Sequence, residues 1–158
     1  MTTTLAPAPS VTVPTSLRRA QLAIFAVAAI HVLALVLVLT HRDVIAAALA
    51  AQHPGADADT LANAAVWQAA IPHIVLAVVL PLRAWRLRNG RRSSRIIVTA
   101  VLGIQLLAHA SLPMTLSELP GYGASVIAVQ AVSLVFEVAA LVLLWTKEST
   151  VFFRSASR

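Results

Sequence analysis

Four apolar stretches, roughly 20–40, 62–82, 96–114 and 124–145, alternate with short polar segments along the 158-residue chain. Each is long enough to cross a hydrocarbon layer of ~30 Å at ~1.5 Å of helix rise per residue. The pattern predicts an all-α protein, a four-helix transmembrane bundle with no second domain. The segment 41–61 is the longest connection, and DVIAAALAAQ within it reads as a short helix capped by Asp43. His53-Pro54-Gly55 breaks that helix, and Asp59 or Thr60 caps the next. The connection SELPGYG, 117–123, is a short Gly/Pro turn.

Charge turns this pattern into a threading. Arg18 and Arg19 precede the first stretch. Arg83, Arg86, Arg88, Arg91, Arg92 and Arg95 lie between the second and third, and Lys147, Arg154 and Arg158 follow the fourth. These are eleven of the twelve basic residues; the opposite loops hold only Arg42, beside Asp43, Asp57 and Asp59. Lys and Arg accumulate on the cytoplasmic side of membrane proteins. The expected arrangement is therefore a cell-membrane protein with both termini and the 83–95 loop cytoplasmic, and the helical loop outside. Residues 1–17, rich in Thr, Pro and Ala, read as a disordered tail, 18–147 as the membrane domain and 148–158 as a cytoplasmic tail. Arg18-Arg19 before an apolar run also fits a cleaved signal. The run exceeds the usual 7–15 residues of a signal core, so an uncleaved first span is the reading adopted.

Composition supports this reading. The chain is 59% hydrophobic and 11% charged, far from a soluble average of about a quarter charged. Its net charge of +6 would suggest nucleic acid in a soluble protein. Here topology accounts for the arginines, and no nucleic-acid partner is expected. The partners expected are the bilayer, anionic lipid headgroups at Arg83, Arg86, Arg88, Arg91, Arg92 and Arg95, and a second membrane protein or copy. Trp67, Trp85 and Trp145 fall near span ends, the interfacial place for indoles, and Phe152 and Phe153 beside Arg154 suit the same interface. Eleven arginines against one lysine, with abundant Ala, Val and Leu, suit a bacterium with a GC-rich genome. The chain has no cysteine, which removes disulfide and thiol chemistry.

The candidate chemistry lies inside the spans. Counted from the arginine-rich ends, His31 is about 16 Å deep, His73 about 15 Å, Gln105 and Glu137 about 14 Å, and His109 about 20 Å. All four helices thus carry a polar residue near mid-membrane, where charge is costly unless paired. Gln130, Ser133 and Glu137 share one stripe of span 4, and Gln105 and His109 one face of span 3. His73 shares a face with Ala62, Ala65, Ala69, Ala70 and Ala77, and small residues mark helix contacts in membranes. Pro72 and Pro81 each free a carbonyl four residues back, at Gln68 and Ala77. AIHVLA at 29–34 resembles GIQLLA at 103–108, but one matched polar position does not establish a repeat.

Three readings follow for His31, His73, Gln105, His109, Gln130, Ser133 and Glu137. In the first they hydrogen-bond across helices and fix the bundle, with His31 or His73 reaching Glu137, and the protein is a structural or accessory component. In the second, His31, His73, His109 and Glu137 ligate a transition metal, or two histidines ligate haem. In the third, the carboxylate and histidines relay protons in a small-solute transporter acting as a parallel dimer. No catalytic residue is assigned, since no hydrolase, nucleotide-binding or metalloprotease motif is present; no resident cofactor is expected under the first reading.

Overall fold

The protein is described by a computed structural model covering residues 12–55, 57–111 and 122–156. Among these residues the fold is all-helical, with six helices and no strand. They are α1 (Thr15–Thr40), α2 (Arg42–Gln52), α3 (Ala58–Leu87), α4 (Arg92–Ser111), α5 (Tyr122–Leu144) and α6 (Lys147–Ser155). The expected tail 1–11, the turn 117–121, Pro113 and Arg158 lie outside the described residues.

Three helices are long and apolar enough to cross a membrane: Thr15–Thr40, Asp59–Leu87 and Gly123–Leu144. The stretch expected at 96–114 is helical as α4 through Ser111 but is not among them. Its described part starts with Arg92-Ser93-Ser94-Arg95 and carries Gln105 and His109, and these lower its mean hydropathy. Helix α3 runs through both Pro72 and Pro81.

Helix α1 packs on α3 and α5, and α4 packs on the same two. Neighbours run antiparallel, as the bonds between them show. Gln21 Nε2 donates to the Ala84 carbonyl (2.7 Å) at one end of α1 and α3, and Arg42 reaches Asp59 (2.9 Å) at the other. Trp145 Nε1 donates to Thr99 Oγ1 (3.0 Å) across α4 and α5. The start of α1, the end of α3, the start of α4 and the end of α5 therefore meet at one end. That end carries Arg18, Arg19, the 83–95 arginines, Lys147 and Arg154.

This end is packed and dry. Leu17, Ile24, Leu80, Ala84, Leu87, Val98, Leu102, Ala140 and Leu144 are fully buried in one cluster. Phe152 and Phe153 join them, so they are core residues of the folded end and not an interfacial dip. Two features turn α6 back. Thr146 caps it by accepting from the Ser149 N–H, and Ser149 Oγ meets Ser16 Oγ of α1 at 3.1 Å. The turn from α3 to α4 needs Gly90, whose φ is +67°; a Cβ there would lie 2.1 Å from the Ala156 Cβ.

The opposite end is held by polar contacts. Helix α2 packs on α3, and Arg42 bridges it to Asp59 and Asn63. The caps differ from expectation. Asp57 caps α3, accepting from the Thr60 N–H at 3.0 Å, in place of Asp59 or Thr60. Asp43 lies in the first turn of α2 instead of capping it, because α1 continues to Thr40 and leaves His41 as the junction. Gly55, with φ +91°, follows the break at His53-Pro54.

Large apolar side chains also face outward: Leu107 is 75% exposed, Leu22 68% and Ile104 67%, while Glu137 is 0% exposed.

Candidate functional site

The polar residues singled out from the sequence come together at the middle of the helices. Two hydrogen-bonded groups form. In the first, Gln105 Nε2 of α4 contacts His31 Nε2 of α1, and His31 Nδ1 lies 2.9 Å from His73 Nδ1 of α3. His31 thus links α4 and α3 through its two ring nitrogens. Gln105 and His31 are the paired positions of the two similar hexapeptides, and they face each other across the bundle axis.

In the second group, Ser133 Oγ donates to Glu137 Oε1 (2.7 Å) and His109 Nδ1 lies 3.2 Å from Glu137 Oε2. Helix geometry supplies this, since Ser133 and Glu137 are one turn apart on α5 and face the end of α4. The predicted partner of Glu137 is thus corrected: His109 holds it, and His31 and His73 bond each other. Ser133 is bonded to the carboxylate and not to the His109 imidazole, so the three do not form a serine–histidine–carboxylate relay.

Burial agrees with an inward arrangement. His31 is 3% exposed, Gln105 6%, Ser133 2% and Glu137 0%. His73, His109 and Gln130 are half-buried and line a cavity of about 370 Å³ that all four long helices enclose. Its other walls are mostly aliphatic, including Ile30, Leu37, Val38, Val126 and Val129. Pro72 also lines it, in the turn of α3 whose carbonyl it frees. Among the described residues, no three His, Cys, Asp or Glu side chains are grouped to hold a metal ion.

The six loop arginines divide. Arg86, Arg88, Arg91 and Arg92 are exposed, and Arg83 is half-buried. Arg88 stacks over Trp85 at 4.4 Å. Arg95 is 7% exposed and sits 3.8 Å over the Trp145 ring and 5.1 Å over Phe153, with a 2.9 Å bond to Thr150 Oγ1. Burial, then Arg154 and Arg92 nearby, pulls its guanidinium below the usual arginine range. Its place in the core of the α6 dock was not legible from the charge pattern, which treats all six alike.

Compared with known proteins, the chain matches no family model, and no curated protein or solved structure is significantly similar to it.

Proposed function

We propose that the chain is a small multi-pass integral membrane protein, a four-helix bundle in which α1, α3, α4 and α5 all span the bilayer. Both termini and the arginine-rich end face the cytoplasm, and α2 lies outside. Its role is structural or accessory, as a non-catalytic component that presents an intramembrane pocket. The observation that carries this is that Glu137 is fully buried while leucines and isoleucines lie on the outer surface. Apolar exposure on this scale suits lipid, and buried polar residues suit contacts between helices in lipid. The hydrogen bonds that tie His31 to His73 and Gln105, and Glu137 to His109, join different helices and support a fastening role over a reactive centre.

A second reading keeps proton-coupled transport. The His109–Glu137 contact beside a cavity favours it. The carboxylate is already held by Ser133 and His109, so transport ranks below the accessory role.

The test combines three measurements. Cysteine at Asn89 should be labelled only from the cytoplasmic side and cysteine at Ala50 only from outside; the reverse would overturn the topology. The purified protein should show no Soret band and no stoichiometric metal. Either signal, or proton flux in vesicles lost in Glu137→Gln, would overturn the accessory role.

A further inference from the structure

The cavity lining mixes polar and aliphatic side chains. His31, His73, Gln105 and Ser133 lie toward the packed half, Gln130 and His109 lie farther along, and Leu37, Val38, Val126 and Val129 come from the helix turns nearer α2. The polar part of the lining is incompletely bonded. Gln105 Oε1 is buried with no partner, and no hydrogen bond among the described residues engages the Gln130 amide. His73 and His109 use Nδ1 for their contacts and leave Nε2 over. A buried polar atom such as Gln105 Oε1 is normally satisfied. A purely apolar occupant would leave it unsatisfied, and a charged one would meet no compensating Lys or Arg in the walls.

We propose that this cavity is a binding site for a neutral, lipid-soluble molecule with a hydroxyl head on an apolar body. A hydroxyl both donates and accepts. It can give its proton to the Gln130 carbonyl oxygen while accepting from an imidazole N–H. The body then lies along the aliphatic walls. A volume of about 370 Å³ falls within the ~300–1,000 Å³ of small-molecule pockets. The proposal rests on the membrane-embedded reading above. It is tested without reference to orientation, so a reversed topology and an empty pocket give different failures.

The probes are 4-hexylphenol and 4-hexylanisole, which differ in the hydroxyl proton. The readout is the thermal unfolding midpoint of the full chain in lipid nanodiscs, titrated with each probe. The phenol is expected to raise the midpoint at a concentration about tenfold below the ether, the value of one hydrogen bond. Gln130→Leu, which keeps the cavity, should close that gap to within about threefold. Ala34→Phe, which fills the cavity, should abolish the response to both probes. Ala69→Leu serves the same purpose should Ala34→Phe fail to fold. Equal potency of phenol and ether on the wild type would overturn the proposal. So would an undiminished response in the filled variants, which would mark bilayer partition alone.

Discussion

The two ends of the packed helices α1, α3, α4 and α5 are filled in opposite ways. In the half near the arginines, Leu17, Ile24, Leu80, Val98, Leu102 and Leu144 are fully buried against one another, and α6 closes the end with Phe152 and Phe153. In the other half the helices part around a cavity of about 370 Å³, lined by polar side chains together with aliphatic ones. The difference teaches that the polar residues are not distributed to fasten the bundle along its whole length. They sit where packing gives out.

The largest expected effect comes from making a hole in the packed half. Leu102→Ala should cost about 3 kcal/mol, because its neighbours cannot collapse into the space. Leu37→Ala in the cavity wall only enlarges an existing space and should cost less than about 1 kcal/mol. Thermal unfolding in detergent or nanodiscs measures both. Equal costs would remove the distinction between the halves.

The next effect concerns the polar residues between them. Glu137→Leu strands the His109 and Ser133 donors and should cost about 2 kcal/mol. Glu137→Gln keeps the shape and an acceptor and should stay within about 1 kcal/mol of the wild type. The pair of variants separates a lost hydrogen bond from a lost charge.

A smaller effect is expected at the closed end. Gly90→Ala must hold φ near +67° and displace Ala156, for a cost of about 1–2 kcal/mol. The loss should appear as faster hydrogen exchange in α6, with the cavity half unchanged.

The smallest effect is a pH response at the far end. Bonds from the Thr60 hydroxyl and amide hold the Asp57 carboxyl below its usual value. A depressed folded value means the cap's contribution is fully present above the unfolded value near about pH 4. It fades as pH falls through the folded value. Hydrogen exchange at the start of α3 should therefore quicken in acid, and Asp57→Asn should flatten that response.

Much of this arrangement was legible in the chain. Apolar run lengths located α1, α3 and α5, and His53-Pro54-Gly55 located the end of α2, because both signals are local. Counting depth placed His31, His73, Gln105, His109 and Glu137 at one level, since helix rise is constant. Their partners were not legible. Whether Glu137 meets His73 or His109 depends on the rotation of each helix about its axis, and that is set by packing across the bundle. The cap at Asp57 was missed by two residues because Asp57, Asp59 and Thr60 are all competent caps. Phe152, Phe153 and Arg95 were misplaced for a related reason. An amphipathic turn beside a basic residue suits a membrane interface and a bundle end equally, and only the Ser16–Ser149 contact and the Gly90 turn decide.

The central claim is that a cavity lies among the helices on the side away from the arginines, with the residues around Val98 packed. The absence of native cysteine makes this directly measurable. Val126→Cys lies in the cavity wall and Val98→Cys in the packed half. A small membrane-impermeant thiol reagent is applied to each face of sealed vesicles in turn. Val126→Cys should react only from the face bearing α2, and Val98→Cys from neither. Reaction of Val98→Cys from the arginine-rich face, or of Val126→Cys from that same face, would contradict the account.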